Sequence, residues 1–230
     1  WPDEVVTSRA SQAPYQKRNG AKEKNQLEMT KNIHLKFEDF FTIKDHCNLR
    51  GIEFLTSAFG PISLRFIETL EMARFKVPSG EITNYPYLAQ ISSHNKPTIV
   101  STGLSDLSEI KSAVDIMREY GLDLEKNLTL MLCTTAYPTP IQEVNLRGLK
   151  TLSDEFGCNV GFSDHTEGNI SAIGAVAQGA KLIEKHITLS KEMVGPDHIA
   201  SSDPQEFTEY IKSIRSLELA LGNGMITCSA

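Results

Sequence analysis

The sequence predicts a parallel α/β fold, and three features carry the prediction. Six short apolar runs alternate with amphipathic segments at a spacing of roughly 20 to 30 residues. Glycines stand just past three of the helical segments, at Gly121, Gly157 and Gly179, where a helix C-terminus favours them. Each apolar run ends abruptly in polar residues, as strands do when their C-terminal ends build a site.

Residues 1–20 are polar and aperiodic and read as a long loop. From Lys22 the pattern turns helical, with Leu27, Met29, Ile33, Leu35, Phe37, Phe40, Phe41 and Ile43 spread over two helices or one bent one that stops near Arg50-Gly51. The repeating unit follows. Strands are predicted over 52–57, 74–79, 98–102, 128–134, 160–163 and 181–187, with helices over 62–72, 85–93, 105–120, 145–156, 169–178 and 204–221. Asp106 with Glu109 has the form of a capping box, and Asp203 introduces the last helix.

Two architectures accommodate such units: a doubly wound open sheet, or a (β/α)8 barrel lacking two of them. A complete barrel takes about 250 residues, and this chain of 230 opens in a loop and a helix as though a strand had just finished. The favoured reading is therefore an incomplete (β/α)8 TIM barrel with six visible strand–helix units, its first strand–helix unit and second strand absent. Periodicity alone leaves both architectures open.

Composition narrows the function classes. A net charge of −6 with no Lys/Arg run argues against a nucleic-acid surface. No apolar stretch reaches membrane-spanning length, and the N-terminus lacks the apolar segment of a signal peptide. Cys47, Cys133, Cys158 and Cys228 form no CxxC, so they are expected to be reduced thiols of a cytoplasmic protein. The chain begins at Trp1 rather than Met, as a fragment or a processed product would.

Chemistry collects at the predicted strand ends. Ser163-Asp164-His165 and Glu184-Lys185-His186 place a histidine at the ends of two adjacent strands. Imidazole suits Mn, Fe, Co or Zn, so a two-histidine metal site is one reading; hydrogen bonding in a polar end of the core is the other. Lys76, between Phe75 and Val77, points either into the barrel or at the helix layer, and a buried ammonium needs an anionic partner. A salt bridge, a Schiff-base lysine and a phosphate site are the alternatives. The hydroxyls of Ser57, Ser79 and Ser101 favour the phosphate. Glu81 reads as a solvated loop carboxylate unless it shares the histidines' face, Asp197 as a turn former, and Tyr137 as packing.

In combination, Lys76-Val77-Pro78-Ser79-Gly80-Glu81, Ile99-Val100-Ser101-Thr102-Gly103, Tyr137-Pro138-Thr139-Pro140, Gly161-Phe162-Ser163-Asp164-His165-Thr166, Glu184-Lys185-His186 and Gly195-Pro196-Asp197-His198 resemble the sialic acid synthase family. The resemblance runs in the family's order from about Val5 to Gly224, within a partial barrel domain taken as 1–224; residues 225–230 do not resemble it. It implies the barrel, and a metal-dependent transferase that condenses phosphoenolpyruvate with an N-acetylated mannose-type sugar and releases phosphate. It implies Mn2+, or Mg2+ or Co2+, on His165 and His186. Phosphoenolpyruvate would be held by Lys76, Ser57, Ser79 and Ser101, with Thr135 and Ser163 also lining the substrate site. Glu81 would sit beside the reacting carbons, Tyr137 and Asp197 at the sugar. Ala13-Pro14-Tyr15-Gln16, Ser79-Gly80-Glu81-Ile82-Thr83-Asn84 and Cys133-Thr134-Thr135 look closest to synthases of N,N′-diacetyllegionaminic acid, with N-acetylneuraminate synthases nearly as close.

The chain also departs from the family pattern. It lacks the first strand with its Glu, the Lys ending the second strand, and the C-terminal antifreeze-like domain through which members form homodimers. Ser57 stands for the usual threonine, and Leu132 and Ala136 stand where His and Glu are common. Two readings therefore compete with the synthase: a catalytically incomplete barrel that binds ligand or subunits and exposes apolar surface where the missing units would pack, and a lysine-dependent aldolase using Lys76.

Overall fold

The computed structural model describes residues 1–20 and 22–226. Its centre is a parallel sheet of β1 (Phe75–Val77), β2 (Thr98–Ser101), β3 (Leu128–Cys133), β4 (Asn159–Asp164) and β5 (Leu182–Lys185), each hydrogen-bonded to the next in chain order. A doubly wound sheet reverses its strand order at a switch point. This one does not reverse, and the arrangement is that of an incomplete barrel. Helices Gly60–Glu68, Tyr85–Ser93, Leu107–Glu119, Gly148–Phe156, Ile170–Ala177 and Pro204–Leu221 alternate with the strands.

Strand alternation divides the side chains between two layers. One row, with Phe75, Val77, Val100, Leu130, Val160 and Phe162, is buried in the apolar core with Leu64, Leu88, Val114, Met117 and Leu149 of the helices. The opposite row is aligned by register: Lys76 with Ile99, Ser101 with Met131 and Gly161, Cys133 with Ser163, and Ser163 with Glu184. A side chain at Gly161 would meet Met131 Sδ at 2.4 Å, so the methionine fills this inner layer.

Two expectations need correction. Residues 52–57 do not form a strand; the run makes one parallel bridge, Ser57 to Lys76. Its backbone is diverted from the ladder: the Thr56 N–H points to Met72 Sδ at 3.3 Å. Among the described residues five strands are therefore observed where six were expected. Residues 1–20 are not a structureless loop either, since they contain short helices Pro2–Val5 and Pro14–Arg18. Both start at a proline, whose fixed φ suits the first helical position.

The other boundaries fall close to expectation. Residues 26–50 form two helices, Gln26–Ile33 and Phe37–Arg50, the second closed by Gly51 at φ +67°. The helix expected over 62–72 spans Gly60–Glu68, ending before Glu71 at φ +50°. Among the described residues Cys47, Cys133 and Cys158 form no disulfide. Cys228 and most of the expected 225–230 tail lie outside the described residues. Among the described residues no helix is long and apolar enough to cross a membrane. The 52–57 run and β5 line a common cavity of ≈ 590 Å³ that includes Leu55, Leu182 and Ile183.

Candidate active site

Strand parity puts Lys76 on the inner row, and four residues converge there. Lys76 Nζ donates to Ser101 Oγ at 2.6 Å and lies 3.5 Å from Glu184 Oε2. Ser163 Oγ donates to Glu184 Oε1 at 2.7 Å and stands 3.2 Å from His165 Nε2. The lysine is buried. Its anionic partner is thus Glu184, and two hydroxyls complete a polar floor.

His165 carries the site toward the loops. Its Nδ1 is 2.8 Å from the Thr134 carbonyl, and a carbonyl only accepts, so Nδ1 bears the proton. Burial holds the ring's pKa below the usual imidazole value, which leaves Nε2 with a lone pair. Ser163 has one proton for two acceptors, Nε2 and the Glu184 carboxylate. With the proton on Glu184, His165 Nε2 is free to bind something else. His186 lies beside it, ring centroids 5.2 Å apart, with Nδ1 3.7 Å from Asp197 Oδ2. His165 thus has its Nδ1 fixed by an oxygen, the arrangement that orients metal-binding histidines, whereas His186 is only within ion-pair reach of Asp197. Among the described residues no group of three His, Cys, Asp or Glu is placed to hold a metal. The pair would supply two ligand positions and leave the rest to water or substrate.

Tyr137 roofs both histidines, its centroid 4.1 Å from His165 and 5.4 Å from His186. Tyr15 packs against it in a tilted pair, ring centroids 5.1 Å apart. Asn19 Nδ2 donates to the carbonyls of Tyr137 at 3.1 Å and Pro196 at 2.7 Å, joining the N-terminal segment to the loops bearing Tyr137 and Asp197. Burial pushes the Tyr15 phenol upward, with the Asp197 carboxylate acting in the same sense.

A third group closes around Gly103. Its N–H donates to Ser79 Oγ at 3.0 Å, and Ser79 Oγ is 3.4 Å from Cys133 Sγ. A Cβ at 103 would lie 2.5 Å from Thr135 Oγ1, so only glycine lets these groups meet.

The structure thus gathers Lys76, Ser101, Ser163, His165, His186, Tyr137 and Asp197 around one end of the sheet, with Ser79 and Thr135 on its flank. One expected residue stands apart, and another borders the site at the sheet edge. Glu81 is buried, accepts from Asn84 Nδ2 at 2.6 Å and, among the described residues, makes no hydrogen bond or ion pair with the others. Its carboxyl is pushed above the usual range by burial, aided by Glu4 and opposed by the Asn84 hydrogen bond. Ser57 pairs with Lys76 at the sheet edge and lines a separate ≈ 470 Å³ cavity with Trp1, Phe59 and Phe66. The sequence reading gave no role to four site residues, although Glu184, Gly103 and Tyr15 stand in motifs it quoted. Parity from His186 would have found Glu184, and nothing local singles out Gly103, Tyr15 or Asn19.

A barrel-type sheet with a lysine–carboxylate floor and two histidines under an aromatic roof defines the class: an incomplete α/β barrel with a polar site at the ends of its strands. The chain belongs to the NeuB family, whose profile matches residues 1–226. It is 44% identical over 223 residues to the N,N′-diacetyllegionaminic acid synthase of Legionella pneumophila, covering 96% of this chain and 63% of that protein. The Campylobacter jejuni protein of the same name is 41% identical over 220 residues, covering 96% and 66%. The chain thus spans less than two thirds of these curated relatives. The crystal structure of N-acetylneuraminic acid synthetase from Leptospira borgpetersenii superposes with a TM-score of 0.83 at 26% identity, covering 91% of this chain and 72% of that one.

Proposed function

We propose that this chain carries the barrel site of a nonulosonic acid synthase that condenses phosphoenolpyruvate with an N-acetylated mannose-type sugar, of the legionaminic or sialic acid type. The observation that carries the reading is the Lys76–Ser101–Glu184–Ser163–His165 chain of contacts ending at an unshared imidazole nitrogen. It sets a cation for an anionic substrate next to a site for an electrophile, as a condensation requires.

In this reading Lys76 Nζ and Ser101 Oγ bind the phosphate or carboxylate of phosphoenolpyruvate, with Ser79 and the Gly103 N–H on its flank. Glu184, itself held by Ser163, orients the lysine, and a lysine already engaged with a carboxylate and with Ser101 is poorly disposed to a Schiff-base role. His165 and His186 would hold a divalent cation, Mn2+ or a similar ion, whose chemistry there is Lewis-acid polarisation of an aldehyde oxygen. Tyr137 covers the histidines and excludes water from the reacting face, while Asp197 accepts hydrogen bonds from sugar hydroxyls. The phosphoenolpyruvate C3 bonds to the aldehyde carbon; water adds at C2, and the C2–O bond breaks as phosphate leaves. Glu81, which hydrogen-bonds to Asn84 apart from this group, is given no step in this reading.

The test is phosphate release from phosphoenolpyruvate with Mn2+ and either N-acetylmannosamine or 2,4-diacetamido-2,4,6-trideoxymannose. Release is expected with one sugar, dependent on metal, and lost in His165→Ala. Metal-independent release, or full activity in that variant, would refute the assignment. A folded chain that releases nothing would favour the binding-only reading.

A further inference from the structure

We propose that the buried cluster of Asp164, Lys185 and Tyr210, on the opposite side of the sheet from Lys76, is a positioning device for His165 and His186. The inference rests on the reading of those imidazoles as a metal site.

The cluster is closed to water, with side chains 0% exposed at Asp164 and 3% at Lys185. Asp164 Oδ1 accepts from the Thr166 N–H at 2.9 Å and its hydroxyl at 2.7 Å, while Oδ2 accepts from Tyr210 OH at 2.8 Å. Lys185 Nζ stands 3.6 Å from Asp164 Oδ2, donates to the Thr166 carbonyl and lies 5.5 Å from the Tyr210 ring centroid. Every charged atom therefore has partners. None of the three side chains makes a hydrogen bond to either imidazole or to the Lys76 group.

Stability does not account for such a cluster. Withdrawing two charges from water costs about as much as their pairing returns, and apolar residues of similar volume commonly serve as well or better. Its placement points elsewhere. Asp164 and Thr166 flank His165 in the chain, and Lys185 precedes His186, so alternation sends the cluster one way and the histidines the other. The Lys185–Thr166 bond is a strut from the residue before one histidine to the residue after the other. Tyr210 ties that strut to the last helix, Pro204–Leu221. An ion pair with fixed hydrogen-bond partners admits one register here, where an apolar contact would allow sliding.

The test compares the wild-type chain with Tyr210→Phe and with the paired replacement Asp164→Leu/Lys185→Met, reading thermal unfolding, imidazole NMR of the metal-free protein and Mn2+ affinity by electron paramagnetic resonance. Tyr210→Phe keeps the packing, so it decides the question should the paired replacement fail to fold. The expected result is folded variants with shifted or broadened His165 and His186 ring signals and Mn2+ affinity weaker by about tenfold, the scale on which outer-shell partners act. Folded variants with unchanged ring signals and unchanged Mn2+ affinity would overturn the proposal. A wild-type chain that binds no Mn2+ would remove the metal reading instead, and the ring signals alone would then decide whether the cluster positions the histidines.

Discussion

At the scale of single residues, what matters is which groups have no room and which have no water. Gly103 has no room: a methyl would press on Thr135 Oγ1 at 2.5 Å and on Cys133 Sγ and Ser79 Oγ at 3.0 Å. On the proposed function, Gly103→Ala is expected to displace the Ser79 flank and lower kcat/KM for phosphoenolpyruvate on the order of a hundredfold, the effect of an ångström-scale misplacement. Steady-state kinetics on a variant of unchanged unfolding midpoint would check this. Glu81 has little water. Its folded-state pKa lies above the ordinary 4.5, so just above that pH the folded state holds more protons than the unfolded one. Stability therefore falls as pH rises through the window between the two values. Glu81→Gln removes this dependence, so urea titrations from about pH 4 to about pH 7 should show wild type losing stability relative to the variant as pH rises. A constant difference between the two would show that the carboxyl does not titrate abnormally. Of the site residues, the histidines, Lys76 and the serines were legible because their motifs are contiguous. Glu184 was hidden in one of those motifs, its role set by cross-strand register.

At the scale of elements, local rules served the helices well and the edge of the sheet poorly. The last helix spans Pro204–Leu221 as read, because its start is encoded locally. Asp203 Oδ1 accepts from the Gln205 and Glu206 N–H groups at 2.9 and 2.8 Å, and Glu206 Oε2 accepts from the Asp203 N–H at 3.1 Å. Asp203→Ala should cost about 1 kcal/mol in equilibrium unfolding, the usual worth of such a cap. A loss near zero would mean that helix packing alone holds this end. The 52–57 run failed as a strand although its composition is apolar. A strand needs ladder partners, and this run gains one bridge and diverts a backbone N–H to a sulfur. Residues 1–20 failed in the opposite sense: proline-led turns too short for periodicity to reveal became helices where other segments held them.

At the scale of the whole molecule, the sheet's two faces carry separate tasks. One side of β1–β4 is a single apolar core in which Leu130 is fully buried. Leu130→Ala is expected to destabilise the chain by about 2–5 kcal/mol, read from denaturant unfolding. A smaller loss would indicate that the site collapses around the cavity. The other side carries the polar row, and its working end is roofed by Tyr137, Tyr15 and Asn19, which come from loops 118 residues apart in the case of Asn19 and Tyr137.

The sequence by itself determined the parallel α/β class, the helix starts and stops, and the strand-end clustering of Lys76, Ser101, Ser163, His165 and His186. Those signals are short-range: periodicity, caps, and abrupt changes from apolar to polar. Only the tertiary structure decided that Lys76 faces inward, that Glu184 is its partner, and that the segment before Asn19 roofs the histidines. These depend on which residues of other strands and loops stand opposite. Register and loop packing are set by the summed burial of the whole core, which no local stretch of the chain contains.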